Sequence, residues 1–184
     1  MAAHGPWFIY GRTEKYESDR LNVHEDRVKR PDGSDGVYAT VTLKPGVAVL
    51  PVDSDGQVHL TRQFRYAVGR DTVEVPSGTL EPGEDPLEGA KREIREELGI
   101  QAGEWRHLGQ VDIDTSIVMC PVDLFIAQQL HFTGTDQDST ELIRPLTISL
   151  ERAIHMVTES EITHSPSCVL ILKAERWLRQ GDTR

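Results

Sequence analysis

Basic residues are scarce in this chain. It carries 20 Lys and Arg against 30 Asp and Glu, a formal net charge of −10. A nucleic-acid groove needs clustered cations, so no nucleic-acid partner is expected. The deficit does not exclude phosphates, because a bound divalent cation reverses the local sign. No apolar run approaches the roughly 20 residues of a membrane helix, so no membrane partner is expected either. The opening residues M-A-A-H-G-P-W-F hold no basic segment followed by an apolar core, and the expected compartment is the cytoplasm. Cysteine is limited to Cys120 and Cys168, both in apolar surroundings, which read as buried reduced thiols. The histidines lack metal spacing, and no G-x-S-x-G, phosphate-binding G-x-x-x-x-G-K or C-x-x-C run occurs. Acyl transfer, P-loop phosphate binding and zinc sites therefore have no support.

What is present organises as a mixed α/β chain of 184 residues, long enough for one domain with a sizeable core. Residues 6–30 hold short apolar stretches broken by charge, followed by the turn signal R-P-D-G-S-D-G. V-Y-A-T-V-T-L at 37–43 alternates as a strand, and G-V-A-V-L-P-V at 46–52 reads as a buried central strand. D-S-D-G at 53–56 is a turn, with 57–65 expected to return as the hairpin partner. Two more strands are expected over 105–114 and 121–130. G-T-D-Q-D-S-T-E at 134–141 is a polar loop. Helical spacing follows at 148–158, with Leu150, Ile154 and Val157 on one side, and a second long helix closes the chain. In layers this is an α/β/α sandwich built on a mixed sheet.

The most informative stretch runs from Glu74 to Ile100, E-V-P-S-G-T-L-E-P-G-E-D-P-L-E-G-A-K-R-E-I-R-E-E-L-G-I. Asp85 suits an N-cap, Pro86 the first helical position, Glu88 a capping box, and Gly99 the left-handed residue past the end. Leu87, Ala90, Ile94 and Leu98 form the apolar stripe. Glu93, Glu96 and Glu97 crowd within about one turn, where like charges repel by a few tenths of a kcal/mol per pair, roughly. Glu84 lies just before the cap. Gathered carboxylates are ligands for a hard cation such as Mg²⁺ or Mn²⁺, which would offset the repulsion. Arg92 is placed to anchor one of them through a bidentate contact. An acidic run on a helix is in general only a solvated face, so E-x-x-E-E alone decides little.

The wider pattern decides more. The stretch fits G-x5-E-x7-R-E-U-x-E-E-x-G-U, with U a bulky aliphatic, at Gly78, Glu84, Arg92, Glu93, Ile94, Glu96, Glu97, Gly99 and Ile100. With average residue usage, a chance match in a chain this long is on the order of one in ten million. The chain thus resembles the Nudix hydrolase superfamily. The resemblance implies a Nudix fold and Mg²⁺- or Mn²⁺-dependent hydrolysis of a nucleoside diphosphate linked to another group. It implies metal ligation by Glu93, Glu96, Glu97 and the backbone carbonyl of Ser77, with Glu84 and Arg92 in support.

The flanks resemble the ADP-ribose pyrophosphatase and nucleotide-sugar branch of that superfamily, through Q-F-R at 63–65, E-V-P-S-G at 74–78 and the segment V-H-E-D-R-V-K-R-P-D-G. That resemblance implies an N-terminal β segment over 1–43 used in homodimerisation and substrate contacts, a Nudix domain over 44–184, and a nucleotide-sugar substrate. ADP-ribose hydrolases of the branch commonly carry a proline about 15 or 16 residues after the box. Thr115 and Ser116 stand there instead, so ADP-glucose, GDP-mannose and similar compounds stay open beside ADP-ribose. So does a silent nucleotide-sensing module, although an intact carboxylate set argues against one. Glu141 is the first choice for the base that takes a proton from the attacking water, with Asp138 the spare; Glu97 and Arg92 complete the expected catalytic set. Arg65, Glu74, Gly78 and Glu84 are the expected substrate-binding residues, although Arg65 would equally well pair with Glu74 and brace the loop. Trp7, Phe8, Tyr10 and Tyr66 are candidates for base stacking, each also readable as plain core.

Overall fold

The computed structural model describes residues 2–134 and 142–181. They form two compact units, one within residues 1–45 and 112–121, the other within 46–111 and 122–184.

In the first unit, β1 (Ala2–His4), β2 (Trp7–Glu17), β3 (Leu21–Lys29) and β4 (Asp35–Leu43) form an antiparallel meander. The turn between β3 and β4 is set by Asp32, whose carboxylate accepts the Ser34 N–H at 2.8 Å, with Gly33 at φ 83°. The first residues of β10 (Val118–Phe132) run parallel to β4, pairing Val118 with Val41 and Met119 with Thr42. That pairing ties 112–121 to the N-terminal strands. A division at residue 43 does not anticipate it.

In the second unit β5 (Gly46–Pro51) is buried at every residue. It lies between β10, parallel, and β8 (Ser77–Thr79), antiparallel. The expected hairpin between β5 and the strand that follows does not form. The Asp53–Gly56 turn is there, with Gly56 at φ 72°. However, β6 (Gln57–Arg65) joins β7 (Arg70–Glu74) and β11 (Arg144–Ser149) in a separate three-stranded sheet ordered β11-β6-β7. The Val52–Val58 bridge and the hydrogen bonds of Asp53 with Gln57 and His59 link the two arms of the turn. β10 lines one edge of β5 along its whole length and β8 the other over 46–48, with the Val49 N–H given to the Pro76 carbonyl, so little of either edge is left for a further partner. β9 (Ile100–Asp114) pairs with β10.

Strand alternation splits the β5 side chains between two faces. Val47 and Val49, with Phe125 and Ala127 of β10, receive Ala90, Ile94 and Leu98 of α1 (Pro86–Leu98). Ala48 and Leu50 point the other way, toward α3 (Ser165–Gly181), which packs on β5. α2 (Leu150–Thr158) packs on α3 and buries Ala153 and Met156. The expected Leu150, Ile154 and Val157 are only half-buried, flanking that stripe. The second unit is thus an α/β/α arrangement with α1 on one face of the sheet.

Candidate active site

The residues of the acidic stretch fold as their chemistry dictates. The Asp85 carboxylate accepts the Leu87 N–H at 2.9 Å and the Glu88 N–H at 3.4 Å. Glu88 does not complete a reciprocal box; its carboxylate takes Lys91 Nζ at 2.7 Å. Gly99 closes the helix at φ 62°, in the left-handed region that favours glycine. The helix therefore starts and stops where it presents Glu93, Glu96 and Glu97 on successive turns.

These glutamates are not a solvated face. Glu93 is 8% exposed and Glu97 6%, whereas Glu96 is half-buried. Burying carboxylates is costly unless polar or cationic partners compensate them. For Glu93 the partner is the Arg92 guanidinium, with Nη1 at 2.7 Å from Oε1. The same Nη1 reaches Glu96 Oε2 at 3.2 Å, and Nε and Nη2 clamp the Glu84 carboxylate at 3.0 and 3.1 Å. Nη2 also donates to the Thr79 carbonyl at 3.0 Å. Arg92 thus ties three carboxylates to the β8 backbone, not the single one expected. Its hydrogen bond to Glu84 raises its pKa above the ordinary value against the opposing effect of burial, and the same bond holds Glu84 below the usual carboxylate range.

Gly78 sits directly beneath Glu93. A Cβ at this position would collide with the Glu93 carboxylate, so any other residue would displace that side chain. Gly78 pairs with Val47, and Ser77 with Ala48, which sets the Ser77–Gly78 backbone against the helix through β5.

Among the described residues, no three His, Cys, Asp or Glu side chains already surround one point. The donor set of Glu93, Glu96 and Glu97 is all-oxygen, anionic and largely withdrawn from water. That chemistry fits a hard divalent cation and no soft one.

Arg65 pairs with Glu74 through two bonds, at 3.1 and 2.7 Å, so the bracing geometry is the one present. Glu74 is 3% exposed and also accepts the Thr72 hydroxyl at 2.7 Å. Burial pushes its pKa up, but Arg65, His164 and Thr72 together outweigh burial and hold it low. His164, just before α3, and Ser167 in its first turn meet this cluster, with His164 Nδ1 at 3.4 Å from Glu74 Oε2. Nothing in T-H-S-P-S marks those two residues in the sequence; only the fold brings them some 90 positions back along the chain. Glu141 and Asp138 lie outside the described residues.

The first unit holds a cavity of about 750 Å³, with Trp7, Arg12, His24, Asp26, Tyr38 and Ser116 on its wall. Trp7 and Tyr38 meet edge to face at 5.4 Å. Arg12 holds the buried Asp26 through bonds of 2.7 and 2.8 Å. Phe8 is 45% and Tyr66 94% exposed, so neither is core.

The NUDIX domain profile matches residues 42–147, more than half of the chain. The chain therefore belongs to the Nudix family and is a Nudix hydrolase. Its curated relatives include the ADP-ribose pyrophosphatase of Bacillus subtilis strain 168, 28% identical over 144 residues that cover 77% of this chain and 78% of that protein. Another is the methanol dehydrogenase activator of Bacillus methanolicus, 26% identical over 165 residues, 87% of this chain and 88% of that one. Among solved structures, an ADP compounds hydrolase superposes with a TM-score of 0.84 over 98% of both chains at 19% identity, a likeness of fold.

Proposed function

We propose that the protein is a divalent-metal-dependent pyrophosphatase that cleaves the diphosphate of a nucleoside diphosphate sugar, with ADP-ribose converted to AMP and ribose 5-phosphate as the type reaction. The observation that carries this reading is the burial of Glu93 and Glu97 on one face of α1, with Glu93 pressed against the Gly78 backbone. A scaffold without catalytic demands has no use for two buried carboxylates one turn apart.

Glu93, Glu96, Glu97 and the Ser77 carbonyl would hold Mg²⁺ or Mn²⁺. When bound, that ion supplies neutralisation of the pyrophosphate oxygens and acidity for the attacking water. The chain's own part is positioning. Arg92 orients Glu93 and Glu96, and Glu84 holds the loop ahead of the helix by accepting the Glu81 N–H at 2.9 Å. Gly78 leaves the approach to Glu93 open. Glu141 is the proposed base for the water's proton, with Asp138 as its substitute. Arg65 contributes by keeping Glu74 ionised at the head of E-V-P-S-G.

Homodimerisation through the N-terminal unit belongs to the same proposal, as does a location in the cytoplasm. Among the described hydrophobic residues of that unit, only Val28 and Cys120 are buried, while Tyr16, Val37, Ile117 and Met119 stand exposed. Sedimentation as a monomer at micromolar concentration would remove the dimer.

The decisive assay offers ADP-ribose, ADP-glucose, GDP-mannose, NADH, dinucleoside polyphosphates and nucleoside triphosphates with Mg²⁺ and with Mn²⁺. Turnover of an ADP-sugar is expected, and no turnover on any compound would sink the reading. Glu97→Gln should lower kcat by about 10²–10³-fold with the fold retained. Full activity in that variant would refute the metal-site assignment.

A further inference from the structure

The E-V-P-S-G segment does something unusual for its length: it leaves one sheet and enters another. Glu74 ends β7, paired with Thr61 of β6, while Ser77 begins β8, paired with Ala48 of β5. Between them lie Val75 and Pro76. The Pro76 carbonyl already accepts the Val49 N–H at 2.9 Å. Proline has no N–H, so the crossing contains one backbone donor, that of Val75. Val75 is fully buried, and an unmet N–H there would cost about 1–3 kcal/mol.

That donor goes to a side chain of α3. The Val75 N–H donates to Ser167 Oγ at 3.0 Å, and Ser167 is itself fully buried. Ser167 Oγ also lies 2.8 Å from His164 Nδ1. A hydroxyl that accepts from a backbone amide still has its own proton and a second lone pair, so it can pair with His164 Nδ1 in either tautomer of the ring. Burial lowers the His164 pKa against the opposing pull of Glu74, and Arg65 pushes the same way as burial.

We propose that His164 and Ser167 are positioning residues of the hydrolytic site: they fix Val75 from the far side of the sheet and thereby set Ser77 and Gly78 against Glu93. The lever is short. Gly78 is three residues beyond Val75, and its contact with the Glu93 carboxylate leaves no room for even a methyl group. A backbone shift at the crossing is therefore felt where the proposed metal ligands converge. The inference rests on the pyrophosphatase reading above for its consequence in rate, but not for its geometry.

The test uses the full-length protein. Ser167→Ala and His164→Leu should speed amide exchange in the 72–78 segment on the order of tenfold while α1 exchange is unchanged. With ADP-ribose and Mg²⁺, kcat should fall on the order of tenfold and KM move by less than about threefold. His164→Asn, whose side-chain amide can accept from or donate to Ser167 Oγ in place of Nδ1, should recover both readouts. A purely structural histidine would not distinguish Asn from Leu in this way. Wild-type exchange and kcat in both Ser167→Ala and His164→Leu would overturn the proposal, as would equal impairment by His164→Asn and His164→Leu. Should the wild-type protein hydrolyse no nucleotide, the pyrophosphatase reading falls, and the exchange measurements still decide whether these residues grip Val75.

Discussion

The two units of this chain are held in different ways. The second carries nearly all of the buried hydrophobic residues, with Val47, Ile94, Ile100, Leu124 and Leu170 among them. The first is a run of long strands with most side chains in water, whose described buried residues are Val28, Cys120 and Asp26. Burial at about 25 cal/mol per Å² stabilises the second unit on its own, whereas the first draws on hydrogen-bonded ladders and turns. Rigidity is thus concentrated where carboxylates must be held in place. The N-terminal unit leaves Tyr16, Val37, Ile117 and Met119 exposed.

The largest expected effect tests this contrast directly. Ile94→Ala empties a position at 0% exposure and should cost about 2–5 kcal/mol in urea denaturation. Met119→Ala in the first unit trims a side chain that is 61% exposed and should cost no more than about 0.5 kcal/mol at dilute concentration. Similar costs for the two would break the comparison.

Next come two glycines that each abut the end of a side chain. At Gly78 a Cβ would strike the Glu93 carboxylate, which the helix and Arg92 hold in place. Gly78→Ala should lower kcat by about tenfold to a hundredfold, since small misplacements at a reacting centre are expensive. At Gly11 a Cβ would meet the guanidinium of Arg27 at 2.7 Å, the far end of an exposed and flexible side chain. Gly11→Ala should leave the rate within about twofold, because Arg27 can swing aside. Steady-state kinetics on the pair decide it.

Acid sharpens the contrast further. Each unit buries a carboxylate on an arginine. Asp26 is held low chiefly by its bond to Arg12, with burial opposing; for Glu74 burial is the largest influence, and Arg65, His164 and Thr72 outweigh it. In both cases the folded pKa lies below the unfolded one, so the folded protein binds fewer protons. The stabilisation is complete at neutral pH and is lost as pH falls through the depressed values, below about pH 4.5. Arg65→Ala should shrink that acid loss more than Arg12→Ala, because without the arginine the folded pKa rises toward the unfolded one, and burial, which raises it, is the largest influence on Glu74 but not on Asp26. Urea midpoints from pH 3 to 7 for both variants check the order, and coincident profiles would contradict it.

How far the sequence reveals these features depends on where their information lies. Helix α1 is legible almost residue by residue, because Asp85, Pro86, Gly99 and the apolar stripe act locally. β5 is legible as a central strand from its unbroken apolar run. Its pairing is not: a turn at Asp53–Gly56 shows that the chain reverses, but not which strand edges remain vacant for the returning arm. β2 gives little alternation to read, since many of its residues are exposed on both faces, and β3 is half-buried throughout 21–25. At the site, the glutamates, Gly78 and Arg92 are readable from spacing. The burial of Glu93 and Glu97, the reach of Arg92 to three carboxylates, and the grip of Ser167 on Val75 depend on tertiary contacts across as many as 92 positions.

The smallest effects come from two aspartates that do the same local job in different settings. Asp85 accepts the Leu87 and Glu88 N–H groups and starts a helix whose stripe is buried. Asp85→Ala should cost about 1 kcal/mol of stability, with Asp85→Asn recovering most of it. Asp32 accepts the Ser34 N–H in an exposed turn of the first unit. Water can replace that acceptor, so Asp32→Ala should stay within about 0.5 kcal/mol. Neither residue touches the glutamates, so kcat should hold in both. The difference between the two costs measures how much a local hydrogen bond gains from the core behind it. If Asp32→Ala proved as costly as Asp85→Ala, the first unit would be drawing on cooperativity that its own thin core does not supply.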